Sequence, residues 1–291
     1  MSLRILSLRF LAIFASAAAL AIPGWGQAPA GAAFDSVTIK VNPNCGSIRG
    51  GGTGAVPGIL NLTCTPLRNL IRSAYGAFAD NGTMSVTQLD VVGGPAWLDS
   101  QLFDLDGRAP ENTPVYRMVG TMLRTVLEQQ WKLRVHREKR EVPVFTLEAV
   151  NGSAKLHPAE PDGCKPLDPG HLPERVAPGQ PQDVPCGFPS GHGNAISTTL
   201  DGHGMTMAEF AGRMLVGLGR PVVDKTGIAG RFDIHLEYAT DVSAGAAQAR
   251  GTESGAPSIF TAVRDQLGLT LTPEKGFVEV LVVDSVERPS E

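Results

Sequence analysis

The sequence contains none of the short motifs that mark common catalytic sites. H-E-x-x-H, G-x-S-x-G and the Walker A loop are absent, as are S-x-x-K with its partner motifs and a G-x-G-x-x-G after a strand. The four cysteines lack the C-x-x-C spacing of a zinc site, and no Glu-x-x-His or His-x-x-His pair is present. These absences predict no catalytic residue, no metal site and no cofactor.

Long hydrophobic runs are also scarce, because only Phe10–Ile22 is apolar enough to enter a membrane. Arg4 and Arg9 precede this run, and small residues follow it as far as Gly26, which is the layout of a secretory signal peptide. The run is shorter than the roughly 20 apolar residues that a transmembrane helix needs. We therefore predict a signal peptide over residues 1–26, an exported protein in the periplasm or outside the cell, and no membrane span after cleavage. An uncleaved N-terminal anchor is the alternative.

An excess of basic residues is absent as well. Lys and Arg number 25 against 29 Asp and Glu, a net charge of −4, which gives no electrostatic reason to bind nucleic acid. The 34 glycines and 22 prolines favour short elements and long loops over a helical bundle. With 19% charged residues the chain is not a disordered polyelectrolyte.

The predicted export favours disulfide bonds between the four cysteines. Cys45 and Cys64 flank one Gly-rich or Pro-rich loop, and Cys164 and Cys186 flank another. Four cysteines allow three pairings, of which we favour the local disulfides Cys45–Cys64 and Cys164–Cys186. A cross-link over about 20 residues stabilises a protein by roughly 3 kcal/mol in the chain-entropy model. Free buried thiols are the alternative, which an oxidising compartment disfavours.

An internal repeat organises the rest of the chain. Residues 127–150 and 263–286 align without a gap at a shift of 136 positions, with seven identical pairs. Each copy predicts a helix end followed by a β-hairpin, over Leu133–Val150 and Leu269–Val286. The expected turns are at Glu138–Lys139 and Glu274–Lys275.

These patterns predict an α+β fold of two tandem pseudo-repeats, each built from helix and β-hairpin units. We place the first repeat at residues 34–150 and the second at 196–291. An irregular linker rich in Pro and Gly, residues 151–195, joins them. Apolar residues at helical spacing predict one helix face over Leu67–Ala74 and another over Val115–Leu127.

A similar string that contains Pro, Phe and two aspartates occurs in each half. Its aspartates are Asp99 and Asp104 in the first half and Asp224 and Asp233 in the second. Such a recurrence is compatible with paired carboxylates for acid–base chemistry. We favour a structural role, because an Asp beside a turn commonly accepts hydrogen bonds from local backbone amides.

One dense basic cluster is present, and we call it the basic cluster throughout: Lys132, Arg134, His136, Arg137, Lys139 and Arg140. On a strand, Leu133 and Val135 would face the core and Lys132, Arg134 and His136 would face outward. A charged strand edge that discourages aggregation is one interpretation. Docking of an anionic partner is the other, favoured because Gly268, Thr270 and Thr272 replace Lys132, Arg134 and His136 in the second copy.

Several strings in order resemble one protein family, among them FDSVTIKVNP, GGPAWLDSQLFDLDGRA and LGRPVVDKTGIAGRFDIHLEY. They are similar to the large paralogous family of exported Acidobacteria (Solibacter-type) proteins, whose shared domain has no known function. The resemblance spans residues 34–291 and implies export and one duplicated domain, without any catalytic residue. More weakly, each helix-then-hairpin unit resembles the small N-terminal modules of secretins and TonB-dependent receptors, which bind partners.

Together these features predict an exported, non-catalytic binding or interaction module of the cell envelope. Its expected partner is an envelope protein or an anionic envelope component. An envelope hydrolase without a recognisable motif and a structural envelope protein are the alternatives.

Overall fold

The computed structural model describes residues 33–45, 52–78, 84–85, 89–150, 154–168, 170, 185–193, 197–239 and 256–289. The predicted signal peptide, residues 1–26, lies outside the described residues. The described residues belong to one compact unit, Gly31–Glu291. Within the described residues, no helix is long and apolar enough to cross a membrane.

The first half of the chain alternates strands and helices. Its elements are β1 (Ser36–Val41), β2 (Gly52–Val56), β3 (Ile59–Pro66), α1 (Leu67–Gly76), β4 (Asp90–Gly93), α2 (Trp97–Ser100), β5 (Leu102–Arg108), α3 (Val115–Arg117), α4 (Leu123–Gln130) and β6 (Arg134–Ala149). A π-helical turn, Met118–Met122, joins α3 to α4, so the three segments form one continuous helix.

The second half follows a similar order. Its elements are β7 (His157–Pro158), β8 (Pro189–Gly193), β9 (Ser197–Met205), α5 (Met207–Glu209), β10 (Val222–Asp224), β11 (Phe232–Ala239), α6 (Ile259–Leu267) and β12 (Leu269–Ser285). A π-helical turn, Phe210–Met214, extends α5. The predicted linker, residues 151–195, thus contributes the two short strands β7 and β8.

The described strands form three four-stranded sheets, with the orders β1-β5-β3-β2, β7-β11-β9-β8 and β10-β6-β12-β4. The predicted α+β fold class is confirmed. The central sheet is symmetric in order about its β6–β12 pair, and the two outer sheets have the same order of corresponding strands. This symmetry supports the duplication, which stays a prediction.

The predicted β-hairpins are wrong. Leu133–Val150 and Leu269–Val286 do not turn at Glu138–Lys139 or Glu274–Lys275, because each stretch contains one long strand. These strands, β6 and β12, pair with each other antiparallel along nearly their whole length. Their backbone groups therefore find partners in the other half of the chain, and neither strand has to fold back on itself.

Each long strand reaches both hydrophobic cores of the described chain. The first core combines α1 and the Val115–Gln130 helix with Leu281 and Val283 from β12. The second combines α6 and the Phe210–Met214 turn with Phe145 and Leu147 from β6. The halves thus exchange strand ends, which a tight turn in the middle of either strand would prevent.

Both disulfides have the local pairing that the sequence favours. Cys45 is bonded to Cys64, with Cα atoms 5.6 Å apart, and Cys164 is bonded to Cys186, with Cα atoms 5.1 Å apart. No free cysteine is present in the described chain. Two disulfides fit a protein of a non-cytoplasmic, oxidising compartment.

The disulfides mark the same place in the two outer sheets. Cys64 in β3 and Gly204 in β9 both have left-handed backbone conformations, with φ of 53° and 55°. The Cys64 amide donates to Asp104 Oδ1 at 2.8 Å, and the Gly204 amide donates to Asp233 Oδ1 at 3.0 Å. A Cβ at Gly204 would lie 2.5 Å from Cys164 Sγ, so only glycine fits beside that disulfide.

Candidate functional site

The structure exposes every member of the basic cluster on or beside β6: Lys132, Arg134, His136, Arg137, Lys139 and Arg140. Leu133 is buried and Val135 is half-buried, and both pack in the first core. Because side chains alternate along a strand, Arg134, His136 and Arg140 lie on one face of β6, and Arg137 and Lys139 lie on the other.

Carboxylates lie between these cations. His136 lies near both Asp284 and Glu138, Arg137 pairs with Glu279, and Arg140 also pairs with Glu138. Lys132, Arg134 and Lys139 form no ion pair among the described residues. The basic cluster is therefore a mixed charged surface in which three cations lack a carboxylate partner within the described part of the chain. Its docking of an anionic partner stays a prediction.

The recurring aspartates have structural roles. Asp104 and Asp233 accept the backbone amides at the two left-handed positions described above. Asp224 accepts the Thr226 amide at 2.9 Å, as expected for an Asp that stabilises a turn. Asp99 instead pairs with Arg68, whose Nε lies 2.6 Å from Asp99 Oδ1.

The similar strings of the two halves place Asp99 in correspondence with Asp224, and this correspondence is wrong. In the central sheet Val91 of β4 lies opposite Leu281, and Val222 of β10 lies opposite Phe145. The repeat shift matches Leu281 with Phe145, so Val91 corresponds to Val222. By the same register Gly93, two residues after Val91, corresponds to Asp224.

A groove of about 940 Å³ lies where the two halves meet at the central sheet, and we call it the central groove. The described residues that line it come from the first half (Tyr75, Gly76, Phe78, Met84, Ser85, Leu89, Asp90 and Arg137), from the second-half helix, loop and β10 (Ala208, Ala211, Gly212, Leu215, Val216, Gly217, Gly219, Arg220, Pro221, Val222, Val223 and Asp224), and from β12 (Phe277, Val278 and Glu279). The groove is thus open beside the outer strand β10.

Two exposed apolar side chains lie in the central groove. Phe277 is 72% exposed and Val216 is 52% exposed. Val41 and Val56 complete the set of exposed large hydrophobic residues in the described chain, and neither lines the groove. Large apolar groups exposed together in a concave surface are typical of an interaction site.

Tyr75 and Arg137, two polar residues of the first-half lining, are fixed by local contacts. The Tyr75 hydroxyl donates to Glu128 Oε1 at 2.9 Å, and burial together with Glu128 raises the pKa of Tyr75 above its ordinary value. Arg137 Nη2 donates to the Tyr75 carbonyl at 2.6 Å, and Arg137 also pairs with Glu279. This lining is mostly apolar, with the Arg137 charge paired and Asp90 without an ion pair among the described residues.

Arg213 holds the two sides of the central groove together. Its side chain is only 12% exposed. Its Nη2 donates to the Met84 carbonyl at 3.2 Å, and its Nε donates to the Ser85 carbonyl at 3.3 Å. Its Nη1 donates to the Gly187 carbonyl at 2.6 Å. Arg213 thereby ties the Phe210–Met214 turn to the first-half segment that lines the groove.

No group of three or more His, Cys, Asp or Glu side chains in the described chain is arranged to hold a metal ion. His203 and His235 each lie near one aspartate, at 3.6 Å from Asp233 and 2.7 Å from Asp201. These are surface pairs on the second outer sheet and do not converge on the central groove.

The family comparison places most of the chain in one family. Residues 68–286 match the model described as "Protein of unknown function (DUF3738)". The match covers about three quarters of the chain, and the chain belongs to this family. No curated protein matches the chain, and no solved structure does. The weaker resemblance to secretin and TonB-receptor modules depended on helix-then-hairpin units, and the predicted hairpins are not present.

The central groove was not predictable from sequence motifs. Its lining comes from segments far apart in the chain, and most of these residues are glycine or ordinary apolar residues that carry no motif. One feature of the sequence points to this region: Gly212, Gly217 and Gly219 lie shortly after the helix that begins at Met207. These glycines border open space, because a Cβ at Gly217 or Gly219 would meet no heavy atom within 4 Å beyond its chain neighbours.

Proposed function

We propose that this protein is an exported, non-catalytic binding module of the cell envelope, and that the central groove is its ligand site. The observation that carries this proposal is the exposure of Phe277 and Val216 within one groove of about 940 Å³. Ligand sites are typically concave, largely apolar and preformed. The expected ligand is an envelope protein or another envelope component with an apolar part.

The groove's polar groups support binding over catalysis. Among the described lining residues there is no histidine, cysteine or lysine. The Tyr75 hydroxyl donates to Glu128, and Glu279 is ion-paired with Arg137. A catalytic site instead needs a nucleophile and a base within hydrogen-bond reach of each other.

Export is the second part of the proposal. It is supported by the signal-peptide pattern of residues 1–26 and by the two disulfides. The finer assignment, to the exported Acidobacteria proteins of this family, rests on the strings quoted above. N-terminal sequencing of the protein recovered from the periplasm should find Gln27 as the first residue. A first residue of Met1 would contradict cleavage.

Binding at the groove is testable with a fluorescent apolar dye of the anilinonaphthalene type. We expect the folded mature protein to bind the dye, and Val216→Ser to weaken binding at least about threefold, since a buried methylene contributes roughly 0.8 kcal/mol. Val41→Ser is the matched control, because Val41 is 51% exposed and lies outside the groove. Equal dye affinity in the two variants would contradict the proposed site.

A further inference from the structure

The two outer strands of the central sheet, β4 and β10, differ in how their outer edges are satisfied. In β4 the outward carbonyls of Val91 and Gly93 accept hydrogen bonds from Arg68, at 2.8 Å from Nη1 and 3.1 Å from Nη2. Asp99 holds the same guanidinium through two short contacts. The chain therefore closes the β4 edge with its own arginine.

The outer edge of β10 has no such closure. Phe145 N donates to the Pro221 carbonyl at 2.9 Å, so Pro221 faces the neighbouring strand β6. In a parallel pair alternate residues face the neighbour, so Val222 and Asp224 direct their N–H and C=O groups away from β6. No described residue donates a hydrogen bond to either outward carbonyl, and this edge lines the central groove.

The difference follows from one position. Cys64 and Gly204 occupy the same place in the two outer sheets, and Arg68 and Ala208 each lie four residues further along the chain. Ala208 is exposed and lines the central groove. The second half thus has a methyl group at the place where the first half has a guanidinium, and the space beside β10 stays open.

The charges in the groove favour a cation in this space. Its lining has three carboxylates, Asp90, Asp224 and Glu279, against two guanidinium groups, Arg137 and Arg220. Arg137 is paired with Glu279, and Arg220 is stacked over Phe145 at 5.4 Å from the ring centroid. Asp224, in β10 itself, accepts hydrogen bonds from Thr226 but forms no ion pair among the described residues, so a carboxylate of β10 remains without a cation.

We propose that the central groove binds a polypeptide segment of a partner that inserts an arginine side chain along β10. The guanidinium donates to the carbonyls of Val222 and Asp224, just as the Arg68 guanidinium donates to two carbonyls of β4. Apolar neighbours of that arginine contact Phe277 and Val216. This inference rests on the proposed function, since it specifies the ligand of the same groove.

Arginine fits this edge better than lysine. Two outward carbonyls of one strand lie two residues apart, and the planar guanidinium presents several N–H donors in a fixed fork that spans them. Arg68 makes such a contact while pairing with a carboxylate. An ammonium group is a compact point charge and would satisfy one carbonyl at a time.

The first experiment compares three short probes, acetyl-Gly-Leu-Arg-Leu-Gly-amide and its versions with Lys or Gln in place of Arg. Binding to the ¹⁵N-labelled mature protein is followed by amide chemical shifts. We expect the Arg peptide to bind at least about tenfold more tightly than the Gln peptide, with the Lys peptide between them. Equal affinities of the Arg and Gln peptides would overturn the inference.

The second experiment supplies the missing arginine from the chain itself. Ala208→Arg should weaken binding of the Arg peptide at least about tenfold, because the new side chain occupies the β10 edge. Ala96→Arg is the matched control, since Ala96 is exposed and lies outside the groove. Unchanged binding in a folded Ala208→Arg variant would overturn the inference.

The wild-type protein provides a test that needs no variant. The Arg peptide should shift the amide signals of Val222 and Asp224 and leave those of Val91 and Gly93 unchanged. Shifts confined to other parts of the chain would contradict the assigned edge. If the apolar dye binds in a Val216-dependent way and the Arg peptide shows no preference, this inference fails and the proposed function stands. If neither binds, both fail.

Discussion

Glu141 and Phe277 lie directly opposite each other in the antiparallel pair of β6 and β12. They are also the two residues that the repeat shift of 136 positions matches. The centre of the pair is therefore the point where the two similar segments cross. Phe277 lines the central groove, so the groove lies where the two halves meet.

The left-handed positions Cys64 and Gly204 should depend on the carboxylates that accept their amides. We expect Asp104→Ala to lower the free energy of unfolding by about 1–2 kcal/mol, because it removes the partly exposed acceptor of the Cys64 amide and of the Asn42 side-chain amide. Asp106→Ala, two residues along β5 and exposed, should change it by less than about 0.5 kcal/mol. Urea unfolding measures both, and equal effects would contradict this role of Asp104.

Arg213 should contribute to both stability and groove shape. Arg213→Met removes three hydrogen bonds to backbone carbonyls, so we expect the free energy of unfolding to fall by about 2–3 kcal/mol. The exposed Arg264→Met should change it by less than about 0.5 kcal/mol. Hydrogen exchange at Ser85 should quicken in Arg213→Met alone. Unchanged exchange there would contradict the link between the two halves.

Tyr75 should affect stability at alkaline pH. Burial, and then the nearby Glu128, raise the pKa of Tyr75 in the folded protein above the ordinary value of about 10. From about pH 10 upward the unfolded chain releases the phenol proton while the folded chain retains it, so the folded state loses stability as the pH rises. Below that pH the contribution is fully present.

The variant Tyr75→Phe should therefore lose less stability than the wild type between neutral pH and the alkaline range. Urea unfolding at a series of pH values measures the slope, and ultraviolet absorbance of the phenolate follows the titration. An alkaline slope identical to that of the wild type would contradict the shift assigned to Tyr75.

Local chemistry was predictable from the sequence, as the ends of the helices illustrate. Thr206 and Glu209 form the capping box that starts α5, and Ser258 caps α6. Gly268 ends α6 in a left-handed conformation, with φ of 66°. These features depend on residues three or four positions apart, which sequence patterns report directly.

The pairing of distant segments was not predictable in the same way. A strand with alternating apolar residues has the same pattern whether it folds back as a hairpin or continues to a partner elsewhere. β6 and β12 continue, because their two ends pack in different cores. The central groove depends on that long-range pairing and on the small residue Ala208. The effect of Ala208 becomes clear only when the structure shows that Arg68 fills the corresponding place in the first half.

In the basic cluster, Lys132, Arg134 and His136 carry charges that the corresponding residues of the second half, Gly268, Thr270 and Thr272, lack. Lys132, Arg134 and Lys139 are exposed and form no ion pair among the described residues, so they are the members available to an anionic surface. We expect the mature protein to bind vesicles that contain phosphatidylglycerol. The binding should weaken as salt is added, because exposed charges are screened within about 8–10 Å at physiological ionic strength.

Replacing these three residues with Ser should weaken vesicle binding and leave thermal stability nearly unchanged. The matched control replaces Lys40, Arg108 and Arg117, which are exposed cations outside the basic cluster, so both variants have the same net charge. A cluster-specific loss would support docking, since a local positive potential and not the total charge would then govern binding. Equal losses in the two variants, or no loss in either, would instead favour a charged edge that keeps β6 soluble beside its interleaved carboxylates.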